Sequence, residues 1–216
     1  MSASRTTRRL TRPTDAEWAR VIDVLQAALF NDKVVLCITG ASKAAERAMY
    51  RQYAEASLRD GEVWVAGPNG QIHAVALWIG PGRDEPSIIQ DPYRSLLSEE
   101  TRHWILHHYT PQYRELYASA YASGSLIRTQ SWHLRFIGVE PQHQRQGLGR
   151  ALMGAMLNNG QHQAHTMATD VSTLSAVYFF QQFGFVHRGV KNFTSRRASF
   201  PMWCLLKEAS PPNPRR

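Results

Sequence analysis

The residues with the clearest capacity for chemistry are Gln144-Arg145-Gln146-Gly147-Leu148-Gly149. Two glycines separated by one residue remove the Cβ atoms that would hold a ligand off the backbone. After them, Leu148, Leu152 and Met156, with Ala151 and Ala155, recur every three to four positions, the period of an amphipathic helix. The first N–H groups of a helix have no partner inside it and lie at the positive end of its dipole. Before the turn, residues 132–139 read as a strand, given aromatic and β-branched mass by Trp132, Phe136, Ile137 and Val139 and stopped by Glu140-Pro141. A strand, a glycine turn and a helix start together make a place to hold phosphate oxygens.

Spacing separates the known kinds of phosphate loop. A nucleotide-triphosphate loop needs a lysine directly after its second glycine, and neither glycine here is followed by one. A dinucleotide fingerprint needs a third small residue where Leu152 stands. An acidic residue, Asp170, does lie about 20 positions on, but too little chain follows for the remaining parallel units.

The rest of the chain must position this loop. Residues 5–11 alternate weakly and are expected to form a first strand. Thr14-Asp15-Ala16-Glu17 is a capping box, followed by the apolar helical face Trp18, Val21, Ile22, Leu25, Ala28 and Leu29. Asn31-Asp32 breaks that helix, and residues 34–38 are a short buried run of either type. Ser42 caps a second helix with Ala45, Met49 and Tyr53 inward, closed at Gly61 in the manner of a C-terminal glycine. Residues 62–66 and 71–79 form two strands joined as a hairpin across Pro68-Asn69-Gly70.

Residues 81–92 read as loop. Ser98 caps a helix through Trp104 and Ile105, and Thr110-Pro111 restarts one with proline at its first position. Tyr109, Tyr113, Tyr117 and Tyr121 recur at four-residue steps, either as a packing stripe or as the wall of a ligand pocket. A strand about 165–170, a helix about 173–182, a strand from Gly184 and a last strand at 200–207 complete the pattern. Residues 209–216, rich in proline and arginine, read as a tail.

The chain has 216 residues, 43% hydrophobic and 19% charged, and no internal repeat, so one domain over residues 1–208 is expected. Its formal charge of +8 sits at the ends: residues 1–13 hold four arginines and no acid, and residues 191–216 hold six basic groups against one acid. Basic ends on a near-neutral body argue against a nucleic-acid-binding surface. No apolar run is long enough to span a membrane, and the basic N-terminus lacks the apolar core of a signal peptide, so a cytoplasmic location is expected. Cys37 and Cys204 lie in apolar, strand-like runs and are expected to be buried thiols. The nine histidines show no metal-ligand spacing, and no metal is expected; His143 beside the loop is read as a turn residue.

Gln144 to Gly149 matches the Gln/Arg-x-x-Gly-x-Gly/Ala loop of the GNAT acetyltransferases at every fixed position, and the order of elements resembles that family over nearly the whole chain. A second stretch, Ala176-Val177-Tyr178-Phe179-Phe180-Gln181-Gln182-Phe183-Gly184-Phe185, is similar to its Asn-x-x-Phe-Tyr-x-x-x-Gly-Phe helix end. The runs 62–66 and 137–144 and the closing Trp203-Cys204 look like the puromycin N-acetyltransferase branch.

The resemblance implies an α/β (α+β) fold with a central mixed, mostly antiparallel twisted sheet of six to seven strands flanked by helices. It implies acetyl-CoA as cosubstrate and a small-molecule primary amine, such as a xenobiotic or antibiotic, as acceptor. The alternatives are a catalytically weak CoA-binding relative, or a protein-directed acetyltransferase; monomer and homodimer both remain open. The cosubstrate's diphosphate would meet the backbone at Gln144, Arg145, Gln146, Gly147, Leu148, Gly149 and Arg150. Its pantetheine arm would pair with the strand edge at Ile137, Gly138 and Val139, where an N–H would serve as an oxyanion donor. Asp170 falls where the puromycin branch has a glutamate, as base or ammonium anchor, or it simply caps the next helix. Phe180 stands where relatives carry a tyrosine that protonates the leaving thiolate, and Ala176 replaces their asparagine.

Overall fold

The structure, a computed structural model, describes residues 5–83 and 91–209. Seven strands form one sheet in the order β1-β2-β3-β4-β5-β7-β6. They are β1 (Arg5–Leu10), β2 (Gly61–Pro68), β3 (Ala74–Ile79), β4 (Trp132–Val139), β5 (Met167–Val171), β6 (Val186–Thr194) and β7 (Ser199–Lys207). All neighbours pair antiparallel except β4 and β5, which run parallel. β3 is buried at every position, as a central strand covered on both faces must be.

One face is covered by α1 (Asp15–Ala28), α2 (Lys33–Ile38), α3 (Lys43–Asp60) and α5 (Thr110–Ala120). The other is covered by α7 (Leu148–Leu157) and α9 (Leu174–Gln181). Short helices α4 (Glu99–Trp104), α6 (Ile127–Gln130) and α8 (Gly160–Gln163) connect them. The capping box before α1 is made in both directions: Thr14 Oγ1 accepts from the Glu17 N–H, and Glu17 accepts from the Thr14 N–H. Ser42, Ser98 and Thr173 cap α3, α4 and α9, each hydroxyl oxygen accepting one N–H, from Ala45, Thr101 and Ala176. Among the described residues no helix is long and apolar enough to cross a membrane.

Several expectations need correction. The uncertain run 34–38 is helical, so Cys37 lies on α2 and only Cys204 lies on a strand; both are buried and free. Asp32 nucleates α2 by accepting from the Val35 N–H at 3.0 Å, which overrides the β-branched composition. Gly61 follows α3 as expected but is extended (φ −167°), not left-handed. Glycine is required there because a Cβ would stand 2.0 Å from the Trp78 carbonyl oxygen. α5 begins at Thr110 with Pro111 in its first turn, as expected, but α4 runs into it without a break through a π-helical turn, Ile105–Tyr109. That turn lets the chain continue past Pro111, which has no N–H to give. α6 and α8, each four residues long, carry no periodicity that a sequence could show. Most of the loop expected at 81–92, and the tail beyond Ala209, lie outside the described residues.

Candidate functional site: a splayed strand pair, a glycine turn and a buried carboxylate

The site is built around the failure of β4 and β5 to stay together. They pair only at Trp132↔Met167, His133↔Ala168 and Leu134↔Thr169. β4 continues to Val139 bonded to β3 alone, with a register shift opposite Leu77 and Trp78 that leaves Arg135 as the extra residue. Beyond Leu134 the edge of β4 facing β5 therefore has no strand partner. A cavity of about 400 Å³ opens in this gap, of a size ordinary for small-molecule sites. Leu134 to Ile137 of β4 and Thr169 to Val171 of β5 form its two sides, and Thr173, Ala176 and Phe180 of α9 close a third.

β4 also leads to the glycine turn. The Gln144 side-chain amide donates to the Val139 carbonyl at 3.1 Å, folding the loop back onto the strand. Arg145 (φ +62°) and Gly147 (φ +84°) both take left-handed backbone, and Gly147 begins α7 with no side chain capping its first N–H groups. At Gly149 a Cβ would lie 3.4 Å from the Phe179 ring and 3.7 Å from Val139, so β4, α7 and α9 meet there. Arg150 points away from the loop and donates to Gln182 Oε1 at 2.7 Å, while Arg145 and Gln146 are exposed. The turn thus presents uncapped N–H groups at the start of α7, which fits a diphosphate. Gly138 serves packing: a Cβ would be 2.7 Å from the Ala28 methyl, so its absence lets α1 cross β4.

Asp170 lines the cavity and is buried beneath α5. Its Oδ2 accepts from the Tyr113 hydroxyl and from the Tyr117 hydroxyl at 2.6 Å, with His133 Nε2 at 3.6 Å. Burial by itself would raise this carboxyl. His133, Arg128 and the Tyr113 hydroxyl outweigh it and hold the group at about 2. At 3.6 Å the histidine is too far for a hydrogen bond, so the phenols are the direct donors and His133 acts as a neighbouring dipole or charge. Burial pushes both phenols well above their ordinary value, and Asp170 pushes them further, so they stay protonated as donors. The Arg128 guanidinium lies over both rings, 4.5 Å from Tyr113 and 4.7 Å from Tyr117. The tyrosine stripe is thus packing and pocket wall at once: all four are buried, and Tyr109 and Tyr113 line the cavity. Asp170 is the fourth residue of β5, and the cap of α9 is Thr173, so the helix-capping role belongs to the threonine.

Phe180 is 1% exposed, edge-on to Phe179 and Phe185, and also faces the cavity. Tyr178, two positions away on α9, is 61% exposed and does not line it. Sequence reasoning missed His133, Arg135, Asp32 and Tyr53 at this site. The first two had a signal, since polar residues alternating within an apolar strand share one face, and His133 stands beside Ala168.

At the foot of the loop, His143 does more than fill a turn: its ring packs against His73, centroids 3.8 Å apart and planes tilted by 37°. Ligand atoms of His73, Glu140 and His143 lie within 4.8 Å of one another, a grouping that spacing in the sequence did not show. The Arg20 guanidinium already sits among them, 2.5 Å from Glu140 Oε2 and 3.1 Å from His73 Nδ1. These bonds tie α1 and the β2–β3 hairpin to the start of the loop.

Comparison with known proteins gives the same frame. No curated protein matches the chain in sequence. Among solved structures, a histone acetyltransferase HPA2-related acetyltransferase from Corynebacterium glutamicum is 20% identical with a TM-score of 0.66, covering 97% of this chain and 98% of that one. The polyamine N-acetyltransferase of Drosophila melanogaster, which forms N-acetylagmatine, is 15% identical with a TM-score of 0.67, covering 95% and 100%. A putative acetyltransferase from Salmonella typhimurium, solved with its cofactor acetyl-CoA, is 15% identical with a TM-score of 0.57, covering 97% and 98%. At these identities the likeness concerns the fold. The acetyltransferase (GNAT) domain model matches residues 98–206, half of the chain, from α4 through β7 and across both the splayed strands and the glycine turn; the chain belongs to the GNAT acetyltransferase family.

Proposed function

We propose that this chain transfers the acetyl group of acetyl-CoA to the primary amine of a small molecule, with residues 1–208 acting as one domain. The observation that carries the reading is the unpaired edge of β4 beyond Leu134, bordering an aromatic-walled cavity at one end and the uncapped start of α7 at the other. Bound acetyl-CoA supplies an activated acyl group. The N–H groups of residues 145–150 hold its diphosphate. Glu140 gives its N–H to His73 on the β3 side, so the alternate N–H groups of Ile137 and Val139 face the free edge of β4, where they pair with the amide arm and polarise the thioester carbonyl.

Asp170 anchors the acceptor's nitrogen. A carboxyl held at about 2 is a poor base toward an alkylammonium, whose proton leaves only near pH 10. Anchoring, the second of the two roles open to Asp170, is therefore the one favoured; the amine loses its proton to water. Phe180 brings no proton to the leaving thiolate, but a thiol of pKa about 8.5 departs without a strong acid.

Phe180 favours a second reading, a CoA-binding protein with weak turnover. Cavity walls on three sides favour a small acceptor over a protein segment. Calorimetric titration of CoA, with thiol release from acetyl-CoA measured against an amine panel, tests the proposal. Saturable CoA binding with amine-dependent thiol release is the expected result. Absence of CoA binding at millimolar concentration would sink it.

A further inference from the structure

The foot of the glycine turn carries a buried charge, and what that charge does for the cosubstrate follows from the reading above, on which it rests. Glu140 is the residue at which β4 gives way to the loop. Its N–H donates to the His73 carbonyl at 3.0 Å, and its own carbonyl accepts from the His143 N–H at 2.8 Å, in the turn that leads to Gln144. Its carboxylate is turned inward, with 7% of the side chain exposed. Two elements meet it there. Arg20 of α1 donates to Oε2 at 2.5 Å, and His73 Nδ1 stands 2.7 Å from the same oxygen. Burial opposes the charge of Glu140, but Arg20 and His73 outweigh it, so the carboxylate stays ionised at neutral pH.

An anion at this place opposes the ligand. The start of α7 offers uncapped N–H groups whose field favours negative charge, and an uncompensated carboxylate a few residues ahead of them would repel the same diphosphate. The Arg20 guanidinium supplies the compensation. Its Nε donates to the Ile72 carbonyl at 2.8 Å, and its Nη2 lies between Glu140 Oε2 and His73 Nδ1, 3.1 Å from the latter. Gln71 Oε1, 2.9 Å from His73 Nε2, fixes that imidazole in turn. With its donors directed at protein atoms, Arg20 acts on the ligand through Glu140. We propose that Arg20 is a positioning residue for the cosubstrate, neutralising the Glu140 carboxylate at the foot of the loop so that the N–H groups of residues 145–150 can take a diphosphate. No local pattern marks the role, because the two residues are 120 positions apart in the chain.

The test titrates CoA by calorimetry into wild type, Arg20→Gln, Arg20→Lys and the double variant Arg20→Gln/Glu140→Gln, with urea midpoints taken alongside. Arg20→Gln leaves Glu140 without its countercharge and should weaken CoA binding by about tenfold. Arg20→Lys keeps the charge and should stay within about threefold of wild type. The double variant removes the repelling charge as well, and should return to within about threefold of wild type although it has lost more bonds than Arg20→Gln. A merely structural Arg20 would give the reverse order, with the double variant binding no better than the single one. Arg8→Gln, which breaks the Arg8–Glu17 pair at the other end of β1 and α1, should leave CoA affinity unchanged. Equal affinity in Arg20→Gln and wild type overturns the inference and leaves acetyl transfer standing. So does a double variant tenfold or more weaker than wild type, whether or not Arg20→Gln itself folds. Wild type that binds no CoA removes the transferase reading on which the inference rests.

Discussion

Replacing Asp170 by asparagine tests whether the carboxylate beneath the tyrosine stripe is charged in the fold, on which its proposed role as anchor depends. The group titrates near 3.8 when unperturbed and is held at about 2 here. Its folded value is depressed, so its stabilisation is complete above the unfolded value and is lost as pH falls through the folded one. At neutral pH the difference is worth about 2 kcal/mol in favour of the folded chain. Urea unfolding followed by tryptophan fluorescence, on wild type and Asp170→Asn side by side, isolates this term because other titrating groups cancel in the difference. Between pH 7 and pH 3 the stability gap should narrow by about 1 kcal/mol, or roughly half a molar in midpoint. In a Tyr113→Phe/Tyr117→Phe background the two direct donors are gone, the folded value rises toward the unfolded one, and the narrowing should shrink. A gap that stays constant over this range, or a double phenylalanine variant with an unchanged profile, would refute the idea that the phenols hold a buried anion.

Other expectations follow from single positions. Gly147→Ala forces a Cβ onto backbone at φ +84° and should cost about 1–2 kcal/mol of stability while weakening CoA binding in calorimetry. Gly138→Ala places a methyl 2.7 Å from Ala28 and should lower stability by about 1–3 kcal/mol, read from urea midpoints, with the loss recovered by Ala28→Gly. Phe180→Tyr adds a hydroxyl at the cavity wall and should raise kcat with little change in CoA affinity; an unchanged kcat would show that water already protonates the thiolate. Glu140→Gln removes the acceptor of Arg20 and His73. Burial opposes the Glu140 charge, but Arg20 and His73 outweigh it and lower the group, so the wild-type advantage should be full at neutral pH and shrink as pH falls below the ordinary carboxylate value, as thermal unfolding at pH 7 and pH 3 would reveal.

The glycine turn, the capping box before α1, the β2–β3 hairpin, α7 and the position of Asp170 were legible in the sequence because each is written in contiguous residues. A cap needs residues three apart, an amphipathic face needs three or four, and a turn needs a glycine where its φ is positive. α2 was ambiguous over so short a run, and the π turn at Ile105–Tyr109 has no local signature beyond the proline that follows it.

What only the tertiary structure decided is where strands part and what their far ends bring together. The three-residue pairing of β4 with β5, and hence the cavity, depends on a register that no stretch of sequence encodes alone. The company of Asp170 comes from elements separated by dozens of residues: Tyr113 and Tyr117 on α5, His133 on β4, Arg128 on α6. A carboxylate's charge is set by how much water it loses and which donors replace it. Both are properties of packing, so sequence could name the residue and only the fold could choose its role.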